Sequence, residues 1–237
     1  MCSPKGFVYF AALNKMKGKC MGLNQAALFD LDGVVVDTET QYSVFWGKVG
    51  EKFHPEIENF NYIIKGNTLN QIYDKYFPDE SVRKQISKAL DYFENHMRYE
   101  YINGVMEFIG SLRVQGIKTA VVTSSNDMKM GILYGVHPDF KGMFDAIVTA
   151  DMISKSKPDP ECFLLGARLL GCAPSNCFVF EDSLAGLTAG RAAGMTVIGL
   201  STTHPAERIS ALADHVIADF SGFTVDEMEQ IRMERLN

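Results

Sequence analysis

The sequence predicts an α/β protein, a doubly wound parallel sheet with a helical cap inserted after its first strand. Three observations carry this. Short apolar, β-rich runs alternate with helical stretches, polar groups gather just past the ends of those runs, and about 65 residues without a strand separate the first run from the second. Alternation of strand and helix implies parallel neighbours joined by crossovers.

The runs are Ala26 to Asp30, Lys118 to Thr123, Ala146 to Thr149, Phe178 to Glu181 and Thr196 to Leu200. Stretches such as Ala120-Val121-Val122 and Val179-Phe180 have no polar face, as expected of strands covered on both sides. Between Thr38 and Asn103, Ser81 to Tyr99 instead repeats apolar residues at helical spacing: Val82, Ile86, Leu90, Phe93 and Met97. The segment exceeds an ordinary crossover, so residues 39–103 are assigned to a helical cap and residues 25–38 and 104–237 to the α/β core. Residues 1–24 read as a flexible extension. Its short apolar segment lacks a small-residue cleavage site and runs into Lys15, Lys17 and Lys19, and Met16 or Met21 could serve as an internal start.

With 237 residues and 46% apolar content the chain can bury a full core. Its 23 basic against 29 acidic residues, net −6, give no electropositive footprint for nucleic acid or an anionic membrane. Five cysteines without a Cys-x-x-Cys pair exclude a disulfide framework or zinc knuckle and point to the reducing cytoplasm. No later run approaches the roughly 18 apolar residues of a membrane span. Oligomeric state stays open, a monomer being sufficient.

In an open parallel sheet, ligands bind where strand ends and connections diverge. Asp30 and Asp32 follow the first run, and residues i and i+2 of an extended chain point the same way. Thr123, Ser124 and Ser125 follow the second, Lys155 and Lys157 the third, and Glu181 and Asp182 the fourth. Each group has a plainer reading: Asp-Gly as a turn, Thr-Ser-Ser and Glu-Asp-Ser as helix starts, Lys157 as a solvated loop residue. All four in order at successive strand ends outweigh those readings. Carboxylates gathered at one site repel, which calls for a divalent cation, and hard oxygen ligands without His or Cys favour Mg²⁺ over zinc. Hydroxyls and an ammonium beside the cation suit a transferring phosphoryl group.

These motifs, FDLDGVVVDTE at 29–39, VVTSS at 121–125, SKPDPE at 156–161 and FEDSLAGLTAGRAAGM at 180–195, resemble the haloacid dehalogenase-like superfamily. The resemblance is to its branch with a Rossmann-like core and a helical cap, which includes beta-phosphoglucomutases and small sugar phosphatases. It implies that Asp30 is a nucleophile forming an aspartyl-phosphate, and that Asp32 is the general acid and base. Thr123 and Lys157 would hold the phosphoryl oxygens. Asp30, the Asp32 backbone carbonyl, and Glu181 or Asp182 or both would hold Mg²⁺. Ser124, Ser125, Lys65 and Asn67 are expected to bind substrate.

An aspartate placed to protonate oxygen points to a phosphate ester rather than to halide expulsion. Lys48 and Lys65 are available for a Schiff base of phosphonate cleavage but read as surface or anion contacts. The His of the first cap helix and the Arg of the cap loop that mark the mutases are replaced by Tyr42 and Leu69. The expectation is therefore a Mg²⁺-dependent phosphatase acting on a small sugar or polyol phosphate. Beta-phosphoglucomutase is the alternative, with an inorganic pyrophosphatase or a non-catalytic binding protein behind it. Tyr42, Phe45, Trp46 and Phe53 read as cap core rather than a sugar-stacking platform, and the five histidines are assigned no chemistry.

Overall fold

The computed structural model describes residues 24–65 and 67–236. The expected flexible extension, Asn24 apart, lies outside the described residues, as do Cys2 and Cys20.

Strand β1, Ala26–Phe29, is wholly buried because both its faces are apolar. Four helices follow: α1 (Glu39–Phe53), α2 (Phe60–Ile63), α3 (Leu69–Tyr76) and α4 (Glu80–Glu94). The chain then runs α5 (Val105–Val114), β2 (Lys118–Val122), α6 (Asp127–Val136), β3 (Ala146–Val148), α7 (Glu161–Leu170), β4 (Cys177–Glu181) and α8 (Leu184–Ala192). It ends with β5 (Thr196–Leu200), α9 (Ala206–Ile209), β6 (His215–Ile217) and α10 (Val225–Arg235). The six strands form one parallel sheet in the order β3-β2-β1-β4-β5-β6. The connections diverge between β1 and β4, which puts the binding edge of such a sheet at their carboxyl ends.

Strand alternation divides the core into two layers. Ala27, Phe29, Val121, Phe178 and Phe180 pack against α5, α6 and α10, with Phe29 and Phe180 stacked 4.7 Å apart. Ala26, Leu28, Val122, Val179 and Val197 pack against α7, α8 and α9. A third cluster, including Trp46, Phe60, Ile72, Phe77, Ile86 and Leu90, belongs to α1 through α4 and the loops between them, so the inserted helices have their own apolar centre. Outgoing and returning chain pair where this cap meets the core: the Asp37 amide donates to the Glu100 carbonyl (2.8 Å) and the Ile102 amide to the Val35 carbonyl (3.0 Å).

Two expectations need correction. The helix read from Ser81 to Tyr99 ends at Glu94, and Met97 and Tyr99 are buried in the core layer instead of on the helix face. The sheet has a sixth strand, β6, whose three partly exposed residues carry no apolar run for sequence reading to find.

Candidate active site

β1 ends at Phe29, but the ladder runs one residue further, the Asp30 amide donating to the Phe180 carbonyl at 2.9 Å. This fixes Asp30 at the sheet edge, 8% exposed. Its Oδ1 accepts from Lys157 Nζ at 2.6 Å, and the same ammonium donates to Glu181 Oε1 at 2.6 Å and to the Val122 carbonyl at 3.2 Å. Lys157 thus stands buried between two carboxylates from neighbouring strands. Burial pushes the Asp30 carboxyl up, Lys157 opposes it, and Glu181 and Asp32 add to the rise, leaving it at about 7. Burial disfavours the Lys157 cation, but Asp30 and Glu181 outweigh it and hold the ammonium charged.

Asp32 does not continue the strand. It pairs in an isolated bridge with Val36 and is followed by a turn, where Gly33 takes φ of 76° and packs so closely on Asp182 that a Cβ would collide with the carboxylate. Both Asp30 and Asp32 nevertheless line one cavity of about 310 Å³. The Asp32 carboxylate accepts from Thr38 Oγ1, from Ser125 Oγ at 3.1 Å and from Lys129 Nζ at 2.9 and 2.8 Å. Burial pushes its carboxyl up. The Lys129 charge and the three donors more than offset this, so it sits below the usual carboxylate range.

Lys129 was not singled out by the sequence. It is the third residue of α6, whose N-cap Asn126 accepts from the Lys129 amide at 3.0 Å, and that first turn opens onto the cavity. Its discoverable signal is positional: the first turn of a helix that follows a sheet strand faces the same edge. Thr203 and Thr38 were missed too. Thr203 Oγ1 donates to Asp182 Oδ2, fixing a carboxyl that burial, then Glu181, Glu39 and Asp30, raise well above its ordinary value.

The other expected residues divide. Ser124, Ser125, Lys65, Asn67, Glu181 and Asp182 line the cavity with Asp30, Asp32 and Lys157. Thr123 is buried behind them, its Oγ1 accepting from the Ser125 amide at 3.0 Å. Lys65 Nζ lies 3.4 Å from Glu39, and Asn67 Nδ2 donates to the Ile64 carbonyl at 3.0 Å. Lys155 is exposed beside Asp159 and Lys48 is exposed on α1, so neither reaches the site. Phe45 and Phe53 pack within the cap, against Phe93 and Phe77, whereas Tyr42 and Trp46 both pack and line the cavity. None of the five histidines lines it.

Seven carboxylates and three lysines line the cavity, an excess of negative charge that suits a dication. Among the described residues, however, no three acidic, His or Cys side chains form a ready-made cage. Glu181 is already engaged, Oε1 by Lys157 and Oε2 by the Ser183 amide (2.8 Å) and hydroxyl (3.0 Å). The Asp32 carboxylate is likewise turned to Lys129. Asp30 Oδ2 and Asp182 Oδ1 take part in none of these bonds, and both residues line the cavity, which leaves hard oxygens for a cation. That fits Mg²⁺, which keeps several waters and needs few protein ligands.

The geometry agrees with what the chain resembles. A family model described as haloacid dehalogenase-like hydrolase matches residues 27–200. The validoxylamine A 7'-phosphate phosphatase of Streptomyces hygroscopicus subsp. limoneus is 28% identical over 204 residues, covering 83% of this chain and 94% of that protein. The beta-phosphoglucomutase of Bacillus subtilis is 28% identical over 228 residues, covering 88% and 97%. Among solved structures, a HAD hydrolase of family IA, variant 3, from Entamoeba histolytica superposes with a TM-score of 0.76 at 22% identity, covering 88% of this chain and 99% of that one, a likeness of fold. The inserted cap, strands β2 to β5 and the four ordered motifs all sit within the matched span, and the chain belongs to the haloacid dehalogenase-like hydrolase family.

Proposed function

We propose that this protein is a Mg²⁺-dependent phosphatase that hydrolyses a small sugar or polyol phosphate through an aspartyl-phosphate on Asp30. The observation that carries the reading is the meeting of Asp30, buried against Lys157, with Asp32 in one cavity between core and cap. One carboxylate oxygen of Asp30 attacks phosphorus in line, and the ester oxygen departs with a proton from Asp32. Water then attacks the acyl phosphate, giving its proton to Asp32 and releasing phosphate with Asp30 restored. Lys157 holds Asp30 in place. Ser124 and Ser125 offer hydroxyls to the phosphoryl oxygens, with Thr123 supporting the loop they stand on. Mg²⁺, held by Asp30, Asp182 and the Asp32 carbonyl, would offset the charge that otherwise opposes attack by one anion on another.

Residues 39–103 act as the cap that closes over the leaving group, with Lys65 and Asn67 near it. The cap side of the cavity carries Glu39, Asp91 and Glu94, and Leu69 lines it where the resemblance implies a mutase would carry an Arg. A second phosphate would meet carboxylates there. This favours hydrolysis of a monophosphate over mutase chemistry and over pyrophosphate cleavage. Among the described residues no helix is long and apolar enough to cross a membrane, and Cys162, Cys172 and Cys177 are buried free thiols. We place the enzyme in the cytoplasm.

The test is a panel of phosphorylated metabolites with Mg²⁺, alongside beta-glucose 1-phosphate primed with a trace of the bisphosphate. Phosphate release that Asp30→Asn lowers by on the order of 10⁴-fold is expected. Glucose 6-phosphate forming faster than free phosphate would make the protein a mutase, and an Asp30→Asn variant as active as the parent would remove the covalent route.

A further inference from the structure

Two adjacent acids stand at the end of β4, and the fold treats them differently. Lys157 and the amide and hydroxyl of Ser183 occupy both oxygens of Glu181. Asp182 is 3% exposed and its Oδ2 accepts from Thr203 Oγ1, but among the described residues no donor reaches its Oδ1. No fully buried side-chain oxygen of the described residues lacks a partner, so Oδ1 opens onto the cavity that Asp182 and Thr203 both line. Oδ2 is walled in. A Cβ at Gly33 would collide with it, and Thr202 Oγ1 stands 3.5 Å away. Thr202 in turn donates to the Gly33 carbonyl at 2.6 Å and holds that turn against the acid. Both threonines follow β5 in a loop tied to β6 by the Ser201 amide, which donates to the Ile217 carbonyl at 3.0 Å.

We infer that Thr203 is a positioning residue that leaves Asp182 a single free oxygen, and that this clamp makes the site prefer Mg²⁺ over Ca²⁺. The inference rests on the metal-dependent phosphatase reading, in which Asp182 holds the cation. The alternative is that Thr203 only satisfies a buried carboxylate, and two features speak against it. An acid that merely needs partners has both oxygens engaged, as Glu181 does. Moreover, neighbouring residues of one loop act on the same oxygen from two sides, Thr203 by bonding it and Thr202 by holding Gly33 against it.

Mg²⁺ demands a near-octahedral shell at about 2.1 Å, takes single oxygens and completes the shell with water, whereas Ca²⁺ accepts about 6–8 oxygens at longer range and can use both oxygens of one carboxylate. A carboxylate pinned through Oδ2 cannot turn to offer both. Because the acceptor is ionised when a cation is bound, the hydroxyl bond is of the stronger, charge-assisted kind. Replacing the hydroxyl by a methyl keeps the shape of the side chain and removes the anchor, so Mg²⁺ would have to immobilise Asp182 itself while Ca²⁺ gains a second oxygen in return.

The experiment titrates the metal-free, substrate-free full chain with Mg²⁺ and with Ca²⁺ by calorimetry, and follows Tm alongside. In Thr203→Val the Kd for Mg²⁺ is expected to rise about tenfold and that for Ca²⁺ to change less than about twofold, so the ratio of Ca²⁺ to Mg²⁺ Kd falls about tenfold. Thr203→Ser, which keeps the hydroxyl, should stay within about twofold of the parent ratio. A merely structural partner lowers the metal-free Tm and leaves the ratio flat. A flat ratio in Thr203→Val, whether both constants stay or rise together, overturns the inference. Should that variant fail to fold, Thr203→Ala and Thr202→Val decide by the same ratio, with falls of about fivefold and about threefold expected. The parent controls for the reading beneath: if Mg²⁺ neither binds it nor raises its Tm, the metal-dependent reading falls and the inference with it, whereas Mg²⁺ binding by the parent beside a flat ratio in Thr203→Val removes only the clamp.

Discussion

Two lysine–aspartate pairs face the same cavity and end with opposite electrostatics. At the floor, Lys157 meets Asp30 but is shared with Glu181, so one cation serves two buried carboxylates and the Asp30 carboxyl stays high. At the rim, Lys129 pairs directly with Asp32, hydroxyls complete the shell, and that carboxyl drops. The difference teaches that a salt bridge does not fix a carboxylate's charge state by itself; the number of anions per cation does. It also divides the labour. The floor stores unfavourable charge that a dication can relieve, and the rim is neutralised already and serves orientation.

The largest effect that would test this division is structural as well as catalytic. Lys157→Met leaves Asp30 and Glu181 buried without their cation, and the expected cost is about 3–5 kcal/mol of folding stability with on the order of 10³-fold less turnover. Lys129→Met leaves Asp32 with Thr38 and Ser125 and should cost under about 2 kcal/mol. Chemical denaturation of both variants checks the contrast. Equal losses would mean that the two pairs are equivalent and that the floor is not specially loaded.

A second test uses pH. The Asp30 carboxyl is raised from 3.8 to about 7, and Asp182 and Glu39 are raised as well, so between pH 5 and 7 the folded protein binds more protons than the unfolded one. The slope follows protons bound unfolded minus protons bound folded, so the three raised carboxyls make stability fall as pH rises through this window, and His204, which burial lowers to about 4, offsets only part of that fall below its ordinary value of 6.5. The exposed carboxyls with lowered values, such as Glu161 and Glu227, are already ionised there and do not contribute. Urea midpoints of the metal-free protein should decline from pH 5 to 7, and saturating Mg²⁺ should flatten the decline while raising every midpoint. A metal-free profile that is level or rising would show that the floor carboxylates are under no electrostatic stress.

The two pairs were also unequally legible. Asp30, Lys157 and Asp182 stand in local motifs at strand ends, where an apolar run followed by a carboxylate or lysine announces itself. The sheet's first five strands were legible for the same reason. The rim is assembled by tertiary crossing. Lys129 is an unremarkable residue in a helix, and it meets Asp32 only because α6 starts at the sheet edge; Tyr42 meets it only because α1 docks there. Thr203, bound to Asp182, is likewise 21 residues away in sequence with no motif to mark it. The i, i+2 spacing of the two aspartates led to the right cavity, which both line. β6 and the end of α4 eluded sequence reading because three residues make no period, and because Met97 continues a helical spacing after the helix has stopped.

The smallest expected effect concerns the cap side of the cavity, where acidic residues face the leaving group and no guanidinium answers a second phosphate. Leu69, the first residue of α3, lines the cavity and is 36% exposed, so Leu69→Arg can be accommodated without disturbing the cap core. A bidentate Arg contact to phosphate is a strong charge-assisted interaction, but Asp91 and Glu94 line the same cavity and compete for the new cation. The net gain should be modest, about fivefold tighter inhibition by a bisphosphorylated sugar, with the KM for a monophosphate little changed. Inhibition constants measured for parent and variant decide the matter. Unchanged inhibition would place the distal end of the substrate away from Leu69, and a gain of a hundredfold would mean that the cap carboxylates do not guard that end at all.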